Sequence, residues 1–283
     1  MTDVQVLNDT NCMLGEGPLW HPEREALFWF DIVGKRLNCH EDGASRHWQF
    51  DEYVSAAGWV DRDTLLMASA TGLWRFDILS GERRLVMPLE AENPVTRSND
   101  GRADPWGGFW IGTMGVNAEP GAGAIYRYYR GELRQLVPDV TISNAICFAP
   151  DRSCAYYTDT RDGRIMRQPL HAETGWPEGE AEVFVDVRRE GFGADGAVVD
   201  AEGCLWNAQW GASRVARYGV DGALMSVWPV PTPHASCPAF GGPELTRLFV
   251  TTAAEGTEGD ADAGKTYVME TGVIGQREHR VVI

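Results

Sequence analysis

Two carboxylates and an amide recur at a similar distance ahead of short apolar segments. Glu16 lies 11 residues before Leu27, Asn144 lies 11 before Ala155, and Asp195 lies 9 before Cys204. Arg97 and Asn99 hold a comparable place, 12 and 10 residues before Phe109. A hard divalent cation takes oxygen ligands, with water completing its shell, so Glu16, Asn144 and Asp195 form a candidate metal set. Singly, an Asp or Asn ahead of a strand more often caps a turn. The shared register is what raises these three above that reading. Calcium, magnesium and manganese suit the oxygens. Zinc and ferrous iron stay open, but the six histidines form no HExxH or HxH pattern to favour either.

These residues need elements to bring them together. Short apolar cores begin at Leu27, Leu65, Phe109, Ala155, Cys204 and Leu248, separated by 38, 44, 46, 49 and 44 residues. That spacing matches a four-stranded propeller blade. A second series, including GLWRFDI at 72–78, AIYRYYR at 124–130 and RVARYGV at 214–220, runs out of phase with the first. Turn pairs such as Asp42-Gly43, Ser80-Gly81 and Asp221-Gly222 follow it, so each unit contains a hairpin. No amphipathic helix recurs between the strands, which weighs against a β/α barrel. The expectation is an all-β, six-bladed β-propeller with four-stranded antiparallel blades, one domain over residues 1–283. Residues 4–9 are expected to close the ring against a final blade supplied by HRVVI at 279–283. Equivalent positions in different blades then converge at one mouth of the central channel. Trp59, Trp106, Trp210 and Phe192 are candidate walls, and most tryptophans are expected to pack between blades. The acidic stretch 253–264 lacks calcium-loop spacing and reads as a solvated connection.

A formal charge of −16 argues against nucleic acid or an anionic membrane as partner. Six scattered cysteines form no CxxC pair, and MTDVQVLNDT has no basic-then-apolar leader. Both features lead to an expectation of a soluble cytoplasmic protein with buried, reduced thiols. There is no GxSxG elbow and no GxGxxG before a helix, so neither a serine nucleophile nor a dinucleotide loop is indicated. The sequence leaves oligomeric state open.

Longer stretches carry a specific likeness. LGEGPLWHPEREALFWFDI at 14–32, TRSNDGRADPWGGFWIGTM at 96–114, PDVTISNAICFAPDRSCAYYTDT at 138–160 and DGAVVDAEGCLWNAQWGASRVARY at 195–218 resemble the family of senescence marker protein 30 (regucalcin), gluconolactonases and related sugar lactonases. The resemblance implies a six-bladed propeller with one divalent ion (calcium, zinc, magnesium, manganese or iron) in its channel. Its protein ligands would be Glu16, Asn144 and Asp195. It implies a sugar lactone as the small-molecule partner, with Arg97 and Asn99 as substrate-binding residues. Where the family carries a substrate-contacting Glu after GTM, this chain has Asn117, with Glu119 two residues later. Both are candidate substrate contacts. Asp195 is the candidate general base, taking a proton from water and passing it to the ring oxygen. A phosphotriester or non-sugar lactone hydrolase, and a non-catalytic metal- or protein-binding propeller, are the rival readings.

Overall fold

The computed structural model describes residues 4–283, and 24 strands account for its regular structure. The N-terminal strand is β1 (Gln5–Asn8). The first blade holds β2 (Gly15–His21), β3 (Ala26–Asp31), β4 (Arg36–Glu41) and β5 (Ala44–Gln49). The second holds β6 (Val54–Asp61), β7 (Thr64–Ser69), β8 (Gly72–Asp77) and β9 (Arg83–Pro88). The third holds β10 (Thr96–Ala103), β11 (Phe109–Gly115), β12 (Gly123–Tyr129) and β13 (Glu132–Val140). The fourth holds β14 (Ser143–Phe148), β15 (Cys154–Asp159), β16 (Arg164–Pro169) and β17 (Glu182–Asp186). The fifth holds β18 (Gly193–Val199), β19 (Leu205–Trp210), β20 (Arg214–Tyr218) and β21 (Leu224–Pro229). The sixth holds β22 (Ala235–Gly241), β23 (Arg247–Thr252) and β24 (Thr266–Glu270), and takes β1 as its outer strand. The strands of the first five blades pair antiparallel in sequence order and β1 pairs antiparallel with β24 in the sixth, so the fold is an all-β, six-bladed propeller.

Burial follows from this order. The leading strands β2, β6, β10, β14, β18 and β22 are almost wholly buried and pack on one another in a ring. The outer strands β5, β9 and β21 face water. Alternation along each middle strand sends its side chains into two different gaps. In β3, Phe28 and Phe30 pack with Leu65 and Phe76 of the second blade, while Leu27 and Trp29 pack with Phe249 of the sixth. Comparable apolar clusters fill the other gaps between neighbouring blades. Trp110 and Trp206 recur at matching places in β11 and β19, where β3 has Phe28, and both are fully buried. Trp110 meets Phe148 of the next blade edge-to-face at 5.5 Å, and Trp206 meets Phe240 at 5.2 Å. Each such side chain contributes roughly 1.5–3 kcal/mol by burial.

Ring closure differs from the expectation. β1 pairs with β24 (Gln5 with Val268, Val6 with Tyr267), and residues 279–283 form no strand. With β1 in place, the sixth blade is already four strands wide, leaving HRVVI no partner there. Those residues cross the floor of the channel instead. Gln276 Nε2 donates to the carbonyls of Phe148 (2.9 Å) and Val199 (3.0 Å), and Glu278 pairs with Arg102. Beyond them, Val281 and Val282 donate backbone N–H groups to Trp59 (2.8 Å) and Gly107 (2.9 Å). Among the described residues all six cysteines are buried and free, and no helix is long and apolar enough to cross a membrane.

Candidate active site

At the opposite end of the channel, the inner strands break register near their starts. The shift falls between Glu16 and Leu19 in β2, Ser98 and Gly101 in β10, Asn144 and Cys147 in β14, and Ala194 and Ala197 in β18. A bulge re-aims the side chains beside it. Here it gathers Glu16, Arg97, Asn99, Asn144 and Asp195 around one cavity of about 1080 Å³. All five are at most 6% exposed. Gly17 makes the first bulge possible: its φ is +53°, and a Cβ there would overlap the Ser55 carbonyl of β6.

Four hydrogen bonds run in one direction across three blades. Arg97 Nη1 donates to Asn99 Oδ1 (2.7 Å), and Asn99 Nδ2 donates to Asn144 Oδ1 (3.1 Å). Asn144 Nδ2 donates to Thr160 Oγ1 (2.9 Å), whose hydroxyl donates to the Ala194 carbonyl (2.7 Å) beside Asp195. The arc fixes which way the Asn144 amide points. Glu16 accepts from the Gly17 N–H at 2.9 Å.

Electrostatics at this place are lopsided. Burial pushes Glu16 up to about 8, and the Asp100 charge adds to it against the pull of Gly17 N–H and Arg97. Burial and then Glu16 and Asp100 raise Asp195 well above the usual carboxylate range. Asp100 rises to about 6 through burial, opposed by Arg102 and the Ile146 N–H. Burial lowers Arg97 to about 10, although Glu16 favours its charged form. Arg102 answers Asp100, so Glu16 and Asp195 share the single guanidinium of Arg97, and a further positive charge favours ionising both. Two carboxylates and an amide oxygen fit a hard divalent ion.

Not every expected residue lies here. Trp210 and Phe192 line the cavity, and Trp210 stacks on His234 at 4.1 Å. Trp59 sits instead at the channel floor, donating to Glu278 O, and Trp106 holds the 171–177 loop through the Ala172 carbonyl. Both follow from strand direction: each lies at the end of its blade away from the bulges. Asn117 lines the cavity, whereas the Glu119 carboxylate turns back onto Asn117. Glu255 and Gly256, from the stretch read as a plain connection, reach the cavity rim. Sequence reasoning passed over Asp100 and Thr160. Asp100 was visible only as the neighbour of Asn99, and Thr160 as the residue closing TDT.

Residues 14–254 match the model of the SMP-30/Gluconolactonase/LRE-like region. The chain belongs to this family. An L-arabinolactonase of Azospirillum brasilense is 37% identical over 281 residues, covering 94% of this chain and 91% of its own. A 6-deoxy-6-sulfogluconolactonase of Pseudomonas putida is 34% identical over 248 residues, covering 86% and 84%. The crystal structure of a calcium-binding regucalcin from Agrobacterium tumefaciens matches at a TM-score of 0.97 and 40% identity, covering 100% of this chain and 98% of that one.

This SMP-30/gluconolactonase family member carries a second group of ligand-type atoms, at the far end of β18. Asp200, Glu202 and Cys204 lie within 4.8 Å of one another. Their lone pairs are already engaged. Asp200 Oδ1 accepts from the N–H groups of Glu202 and Cys204, and Oδ2 from Trp206 Nε1 (2.8 Å) and Arg217 Nε (2.9 Å). Arg217 also pairs with Glu202, and burial keeps the Cys204 thiol protonated. The group is a turn clamp with its countercharge built in, unlike the carboxylates around Arg97.

Proposed function

We propose that this chain is a divalent-metal-dependent hydrolase that opens a sugar aldonolactone to the aldonic acid. The observation that carries the reading is the convergence of Glu16, Asn144 and Asp195 with Arg97 and Asn99 in one cavity. Relatives named as arabino- and sulfogluconolactonases support the substrate class. Glucono-, xylono-, arabino- and galactonolactone are the candidates. Glu16, Asn144 and Asp195 would hold the ion, and their all-oxygen donor set favours calcium, magnesium or manganese over zinc or iron.

A bound divalent ion supplies Lewis acidity toward the lactone carbonyl and toward water. The chain's own groups do the rest. Arg97, tethered through Nη1 to Ser98 O and Asn99 Oδ1, directs its remaining N–H groups at the negative charge that develops as water adds to the carbonyl carbon. Asp195, as the carboxylate at the cavity wall, takes a proton from the attacking water. The ring C–O bond then breaks, and the proton returns to the departing ring oxygen. Trp210, stacked on His234, offers a flat apolar face to the sugar's C–H edge.

The test strips metal, restores each divalent ion in turn and assays a panel of aldonolactones above spontaneous opening. Glu16→Gln and Asp195→Asn are expected to lose roughly 100-fold or more of the ion-dependent rate. No turnover with any ion, while ion still binds, sinks the lactonase reading.

A further inference from the structure

The turn after β11 sets a hydrogen-bonding polarity at the cavity wall. Asn117 lines the cavity on the third blade. Two residues on, Glu119 folds back: Oε2 accepts the Asn117 backbone N–H and Oε1 accepts Asn117 Nδ2, both at 3.0 Å. Gly115 leaves the space for this, since a Cβ there would overlap Glu119 Oε2. The turn is tied by Ala118 N–H to Gly115 O (2.9 Å) and Ala122 N–H to Glu119 O (3.2 Å), with Ala118 at φ +56°. The carboxylate is therefore anchored on both oxygens by one residue.

An ionised carboxylate only accepts hydrogen bonds, so the Asn117 NH₂ must face it and Oδ1 must face away. Without that partner an exposed amide turns freely and presents donor or acceptor equally. We infer that Glu119 is a positioning residue that fixes Asn117 Oδ1 as an acceptor for a neutral hydroxyl of the lactone. With a carboxylate directly behind it, the same wall disfavours an anionic substituent. The substrate class is thereby narrowed to lactones carrying a free hydroxyl on the third-blade side. This rests on the lactonase reading above.

The experiment is a double-mutant cycle of Glu119→Ala and Asn117→Ala in the metal-loaded protein, with KM and kcat measured on the preferred lactone. Glu119→Ala is expected to raise KM roughly 3- to 10-fold, the worth of one hydrogen bond, with little change in kcat. In the Asn117→Ala background it should add nothing, because Glu119 acts through that side chain. Glu119→Gln, keeping one acceptor, should fall between. The Asn117 side-chain NH₂ resonances should shift in Glu119→Ala, a readout independent of turnover. An unchanged KM, a fully additive cycle, or unmoved NH₂ resonances each overturn the inference while wild-type turnover leaves the lactonase reading intact. Absence of wild-type turnover overturns the lactonase reading itself, and this inference with it.

Discussion

Glu16, Asp100 and Asp195 are three buried carboxyl groups, with Arg97 facing Glu16 and Asp195 and Arg102 facing Asp100. The sign of the pH dependence follows from their direction of shift. Glu16 moves from 4.5 to about 8, so between those values the folded, metal-free chain holds a proton that the unfolded chain has released. Stability of the metal-free protein should therefore fall as pH rises from about 5 to 8, and Asp195 acts in the same direction. An added divalent ion reverses this, since it binds only the deprotonated ligands. Its apparent affinity should drop about tenfold per pH unit below 8, because each ion displaces at least one proton. Thermal denaturation across pH, with and without ion, checks both; metal-free stability that rises toward pH 8 would contradict the arrangement. Glu16, Asn144 and Asp195 were legible in the sequence because they recur at one register ahead of similar strands. Asp100 was not. In Ser98-Asn99-Asp100-Gly101 it reads as a turn residue, and only the ring of inner strands buries it.

At the scale of elements, the bulges in the inner strands convert a generic sheet edge into a site. Strand cores and hairpins were readable from apolar runs and Gly-bearing turns, because each strand's period is set locally. Register shifts were not, since they depend on how β2 meets β6 and β14 meets β18. Gly17 shows the coupling. It holds φ +53° against the Ser55 carbonyl and donates its N–H to Glu16. Gly17→Ala should strain that backbone and push β2 from β6, costing about 1–3 kcal/mol of stability. Because Glu16 loses its anchor in the same step, ion affinity should fall about tenfold or more, roughly 1.4 kcal/mol. Denaturant unfolding and calorimetric ion titration measure the two effects. A variant that is destabilised yet binds ion normally would show that the bulge supports the fold without setting the site.

Across the whole molecule, the ring has two different ends. One mouth opens onto the carboxylates, and the C-terminal segment lies over the other. HRVVI reads as a strand because its apolar and β-branched residues suit one. Its placement was decided by something no local pattern carries: β1 had already completed the sixth blade. The segment's contacts with Phe148, Val199, Arg102, Trp59 and Gly107 draw four blades together around the floor. Its sharpest commitment is Glu278, which meets an Arg102 that is almost wholly buried and also faces Asp100. Removing only the carboxylate strands a buried guanidinium, so Glu278→Ala should cost about 3 kcal/mol. Replacing both partners removes the stranded charge along with the pair, so Arg102→Met with Glu278→Met should cost less than Glu278→Ala alone. Urea unfolding of the wild type and the two variants decides it. If the double variant is instead the least stable, Arg102 is needed for more than its pairing with the tail, and its attraction to Asp100 becomes the interaction that holds the channel together.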